Sequence, residues 1–264
     1  MITLDCESQD ATLNSLSHIY GVPKQEIKAF LKKTDLERHY EETKPVQTVE
    51  RELTLLFEKT LGCTPPNIDR VFWFHLTRAS YDADFSSGIL PLDDALPRVW
   101  EMLIDIFRGT KNEAPLRNLR KNGVSNFQYQ LKVGNPVHGG PYAMLVRDSA
   151  FQAHEMGNYD YLRLPEIVED ICNEYQDVSG VKIHDSVCSW LIPHIIKFWS
   201  SDKTDKSCVE SAMYYLYCTM HGQSMSIHAN TCFDGMNLAV TREQIVKIEK
   251  GNDLHNKMYD DKDS

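Results

Sequence analysis

No stretch of about 18 uninterrupted apolar residues occurs in this chain, which argues against a membrane-spanning helix. Its first ten residues, MITLDCESQD, have neither the basic nor the apolar region of a secretory signal, so a cytoplasmic protein is expected. No CxxC pair is present. The seven cysteines, at 6, 63, 172, 188, 208, 218 and 232, are odd in number and scattered. That pattern reads as reduced thiols, and no metal site is expected. No GxGxxG follows a strand signal and no GxxxxGK[ST] run exists, which removes the two commonest nucleotide-binding frameworks. Positive charge is in short supply as well. Lys and Arg number 28 against 38 Asp and Glu, and the net charge of −10 opposes non-specific binding to nucleic acid. The densest basic run, RGTKNEAPLRNLRKNG, carries Arg108, Lys111, Arg117, Arg120 and Lys121. It reads as solvated surface, with a path for a phosphate-bearing ligand as the alternative.

What remains suits a soluble chain of 264 residues, 42% hydrophobic and 25% charged, able to fill one large core or one core with a small helical annex. The first 62 residues read as helical. Leu13, Leu16 and Tyr20 recur at helical spacing, GVPKQEIKAFLKK follows with Pro23 at a helix start, and Val46, Val49, Leu53, Leu56 and Phe57 mark a helix that Gly62 can end. CTPPNID then breaks the pattern, giving an annex over 1–64 and a main domain over 65–264. The annex either buttresses the main domain or holds a partner protein. VFWFH reads as a strand, Leu96 to Phe107 as a helix, and YQLKV and YAMLV as paired strands around GNPVHGGP. Leu164 to Tyr175 gives another helix, with Glu166, Glu169 and Asp170 facing water. VCSWLIPHIIKFW reads as a buried helix broken near Pro193, and SCVESAMYYLYCTMHG as a helix ending at Gly222. SMSIHA, MNLAV and IVKIE are strand candidates, and the tail KMYDDKDS is expected to be disordered. The order of elements predicts an α+β fold rather than a doubly wound parallel sheet.

One stretch resists a purely structural account: FWFHLTRASYDADFSSGILPL, residues 72–92. A core strand has no need of His, Thr and Arg at its tail. His75 and Thr77, two apart, share one face of the strand and can both bond ribose hydroxyls. An apolar strand ending in His-x-Thr, a loop of about ten residues and then Gly-Ile-x-Pro-Leu together resemble the ADP-ribosyltransferase superfamily. The likeness is to its diphtheria-toxin and poly-ADP-ribose-polymerase side, bacterial toxins included. It is strong over about twenty residues and loose over the rest. It implies a split antiparallel sheet behind a helical N-terminal annex, with NAD as the substrate. His75 then bonds the adenosine ribose, Thr77 steadies the strand, and the backbone through Leu76, Thr77 and Arg78 holds the nicotinamide amide. Phe85 and Gly88 belong to the loop over NAD, and Tyr142, in GGPYAMLV, is the candidate for stacking on nicotinamide.

The sequence departs from that family at one point. The family's catalytic glutamate falls at Met236 or Asn237 here. Asp234 just before, Glu243 just after and Asn237 as a neutral donor are the candidates to replace it. The resemblance implies transfer of ADP-ribose to a protein or nucleic acid by a toxin or phage-defence effector with an antitoxin or inhibitor partner. A catalytically inactive nucleotide- or partner-binding module on the same fold, or an enzyme like the RNA 2′-phosphotransferases, are the alternatives. Other constellations read as structural. His184 and His194 are too far apart on one helix to share a metal, Cys218 with His221 lacks an orienting acid, and His154 with Glu155 lies in a polar loop.

Overall fold

A computed structural model describes residues 1–135, 139–251 and 254. The tail expected to be disordered and part of the GNPVHGGP loop lie outside the described residues. The chain is of mixed α+β class, with ten α-helices and six strands among those residues. The strands are β1 (Thr3–Leu4), β2 (Arg70–Ala79), β3 (Tyr142–Met144), β4 (Ile192–Ser200), β5 (Cys232–Asp234) and β6 (Ile245–Lys250). They are ordered β5-β3-β2-β4-β6, with β1 paired to β2 off that path. β1 runs parallel to β2, Leu4 opposite Val71, and β3 runs antiparallel to it, Met144 opposite Phe74.

The chain divides into two compact units. The first comprises Met1–Phe74, Ala143–Asn158 and Lys197–Phe233, so residues 1–64 share a unit with two later segments. Its helices are α1 (Gln9–Tyr20), α2 (Lys24–Lys33), α3 (Leu36–Thr43), α4 (Val49–Leu61) and α10 (Lys206–Met220). α10 packs against α1, α2 and α4 and is buried around most of its circumference. Leu13, Leu16, Ile27, Leu53 and Phe57 from these helices, and Val209, Ala212, Met213 and Leu216 from α10, are all but excluded from water. Gly62 ends α4 in the left-handed conformation, as expected, whereas Val46 lies outside the helix and is exposed.

The second unit takes up from His75 to Tyr142, from Tyr159 to Ile196, and from Asp234 onward. It contains α5 (Leu92–Ile106), α6 (Glu113–Asn122), α7 (Phe127–Lys132), α8 (Glu166–Ser179) and α9 (His184–Trp190). Trp100, Leu103, Leu116, Ile171, Val187 and Leu191 are among its core residues.

Four of the expected elements are corrected. YQLKV lies in helix α7, not a strand: the Asn126 side chain caps it by accepting from the Tyr129 N–H at 3.1 Å, and Gln, Leu and Lys favour helix. VCSWLIPHIIKFW is a short helix, α9, followed by strand β4. A fully buried strand has no polar face, so its periodicity cannot be told from that of a buried helix, and Pro193 stands where a strand tolerates proline, near its start. SMSIHA forms a 3₁₀ turn over Ile227–Ala229 capped by Ser226. MNLAV is a tight turn, for reasons given below.

Candidate active site

β2 delivers the His-x-Thr pair as alternation dictates. Leu76 is buried, while His75 and Thr77 on either side are half-buried. The His75 Nδ1 lies 2.7 Å from the Tyr142 carbonyl oxygen. A carbonyl only accepts, so Nδ1 carries the proton and Nε2 of the neutral ring is left as an acceptor. Burial holds the imidazole pKa below its usual value, and the bond to Tyr142 offsets this only in part. His75 is therefore neutral near pH 7.

Tyr142 is 40% exposed. Burial of its hydroxyl, then the carboxylates of Asp234 and Glu166, raise its pKa. Asp234 closes β5, and its Oδ1 accepts from the Met236 N–H at 2.9 Å. Met236 and Asn237 follow with φ of +51° and +64°, and the Leu238 N–H donates to the Gly235 carbonyl at 2.8 Å. Two successive positive φ values closed by that bond make a hairpin turn, which is why MNLAV does not extend. The turn docks on the segment leading to Tyr142: the Gly235 N–H donates to the Pro141 carbonyl and the Asn237 N–H to the Gly140 carbonyl, each at 2.9 Å. A Cβ at Gly139 would fall 1.5 Å from the Asn237 Oδ1, so the Asn237 side chain lies directly over that glycine. Asn237 fastens the turn to the strand bearing Tyr142.

The loop after β2 is held at both ends. Ile89 and Val240 exchange both backbone hydrogen bonds, at 2.8 and 2.9 Å. Earlier in the loop, Lys250 Nζ donates to the Tyr81 carbonyl at 2.8 Å. Phe85, at φ +52°, packs edge-on to the fully buried His194, their ring centroids 5.6 Å apart. Arg78 turns elsewhere: its Nε donates to the Leu191 carbonyl at 3.1 Å and its Nη1 to the Arg163 carbonyl at 2.8 Å. Glu243 is exposed in a 3₁₀ turn, its carboxylate bonded to its own N–H and to the Thr241 hydroxyl.

Thus His75, Tyr142, Asp234 and Asn237 are gathered in the second unit, with Gly88 locked beside them through Val240. The sequence reading missed Glu166. It took Glu166, Glu169 and Asp170 to face water, but Asp170 is buried, and Lys132 Nζ bridges it at 2.7 Å and Glu166 at 3.1 Å. Tyr161 also donates to Glu166, at 2.7 Å. A lone lysine 34 residues upstream in a segment misread as a strand gave no signal of that pairing.

The remaining constellations fall into separate local contacts. His184 bonds the Asn173 side chain at 2.9 Å while His194 sits in β4, and among the described residues no cluster of three His, Cys, Asp or Glu could hold a metal. Burial raises the Cys218 thiol, and His221 bonds the Leu31 carbonyl. In the basic run, Arg108 pairs with Asp105, Arg117 with Glu113 and Arg120 with Glu101. No family model matches this chain, and neither the curated proteins nor the solved structures contain one significantly similar to it.

Proposed function

We propose that this chain is an NAD-dependent ADP-ribosyltransferase acting on a macromolecule. The observation that carries the reading is the His75 Nδ1 bond to the Tyr142 carbonyl, which joins two residues singled out in the sequence 67 positions apart. It leaves a neutral acceptor nitrogen for a ribose hydroxyl and ties that histidine to the backbone of the residue whose part-exposed ring would stack on nicotinamide. In the reaction, the bond between nicotinamide and ribose breaks, nicotinamide leaves with the bonding pair, and the acceptor's nucleophile bonds the sugar carbon and gives up a proton. The sugar acquires positive charge on the way, and the Asp234 carboxylate near Tyr142 stabilises that charge. A toxin or phage-defence effector, restrained by an antitoxin, is the setting, with protein or nucleic acid as acceptor. No helix among the described residues is long and apolar enough to cross a membrane.

One observation favours a second reading, a module that binds NAD without cleaving it: an oxygen of Asp234 is already committed to the Met236 N–H. A single experiment separates the two. Labelled NAD is incubated with the chain and a cell lysate, and the product is divided between nuclease and protease digestion. Label transferred to a macromolecule, lost in His75→Ala at an unchanged thermal melt, is the expected result. Asp234→Ala is expected to lower the rate about 10²- to 10³-fold, with Glu243→Ala retaining it. Binding without cleavage establishes the second reading, and neither binding nor cleavage ends both.

A further inference from the structure

The first unit holds a cavity of about 750 Å³ that the transferase reading does not use. Its wall from α10 is an aromatic ladder. Tyr214, Tyr217 and His221 recur at spacings of three and four and so share one helix face. Tyr214 and Tyr217 are stacked, with centroids 5.9 Å apart and planes 12° from parallel. Tyr217 and His221 lie closer, at 4.3 Å and 33°. Tyr217 is buried inside the ladder, and its hydroxyl accepts from the Leu36 N–H at 3.4 Å. His221, at the ladder's end, is exposed.

That exposed ring is not free to turn. Its Nε2–H donates to the Leu31 carbonyl at 2.9 Å, which fixes the plane and leaves Nδ1 as the acceptor. Lys32 and Lys33 come directly after Leu31, are exposed and line the same cavity. Gln223, two residues past the ring, lines it too and offers both an amide donor and an acceptor. Two carboxylates also stand on the lining. Asp35 is turned to its own helix, accepting from the Arg38 N–H at 3.0 Å, and Glu37 is exposed, where water and salt screen it.

A fixed aromatic face beside two ammonium groups is the chemistry that takes a nucleobase together with its phosphate. We propose that this cavity binds a nucleotide unit, with the base stacked on His221 and the phosphate on Lys32 and Lys33. The site is independent of the transferase reading.

The test measures anisotropy of a short fluorescein-labelled single-stranded oligonucleotide on the full chain, with AMP as competitor. Two phosphate contacts predict that log K falls with log[salt] at a slope of about −1.4. The Lys32→Glu/Lys33→Glu variant is expected to abolish that slope. Losing the stacked ring in His221→Gln, whose amide can still reach the Leu31 carbonyl, is expected to weaken binding about 10- to 100-fold. The exposed lysine variant, checked by its thermal melt, guards against misfolding of the histidine one. His75→Ala should bind the oligonucleotide as the unaltered chain does. Competition by AMP identifies a free mononucleotide as sufficient, and binding of the strand alone identifies single-stranded nucleic acid. No binding of either probe at about 1 mM, unchanged affinity in both variants, or loss of binding in His75→Ala would each overturn the proposal.

Discussion

At Gly88 the backbone sits at φ +80°, and a Cβ there would fall 2.1 Å from the Val240 carbonyl oxygen. The atom it would strike belongs to the backbone and is engaged with Ile89, so it cannot rotate away as a flexible side chain would. Gly109 is a natural control, at φ +75° with nothing within 4 Å of its would-be Cβ. Gly109→Ala should therefore cost only the left-handed strain, about 1–2 kcal/mol. Gly88→Ala adds displacement of the Val240 backbone that bridges to Ile89 and should cost about 2–4 kcal/mol. Urea denaturation of the two variants measures the difference, and equal losses would mean that the close approach is not maintained in solution. A turn glycine of this kind is legible in sequence because a Gly-Ile-x-Pro-Leu run marks a turn locally, whereas the carboxylates around Tyr142, Glu166 among them, are set by residues far along the chain.

Among the elements, β1 is the shortest and the one most dependent on a distant partner. It pairs with β2 over two residues, and the chain just beyond it is held by Lys197 of β4, whose Nζ lies 2.6 Å from Asp5 Oδ2 and 2.7 Å from Glu7 Oε2. The ammonium is buried, 4.5 Å from the Phe72 ring centroid, while both carboxylates keep some access to water. Lys197→Ala leaves two acids that can rehydrate, so the loss should fall below the usual 3–5 kcal/mol of a broken buried pair, at about 2 kcal/mol. Hydrogen exchange should quicken at residues 2–7 ahead of the α1 amides. Uniform acceleration across the first unit would show instead that the strap has no separate stability. Strand β2, the helices α1, α2 and α4, and α5, α8 and α10 were all readable, because each carries a periodic apolar face or a cap signal. β4 was not, because a strand buried on both faces presents no polar alternation, and α7 was not, because its cap residue Asn126 decides what five ambiguous residues leave open.

For the whole molecule, the interleaving of the two units governs what can be removed. Residues 1–62 contribute α1, α2 and α4, and α10 buries its apolar face against them. A chain starting at residue 63 would expose Val209, Ala212, Met213 and Leu216 together, an apolar surface that soluble proteins do not leave bare. That truncation should be insoluble or aggregated on size-exclusion chromatography. A soluble, cooperatively melting fragment would show that α10 finds other cover. The same interleaving bears on synthesis. The first unit lacks its closing segment until Phe233 has been made, long after its opening segment ended at Phe74. At about 5–20 residues per second, the early helices wait roughly 8 to 30 s for α10 and β5. The nascent chain would thus carry an uncovered apolar surface through most of its translation, and a stall between those two points would leave a half-built core with no partner to close it.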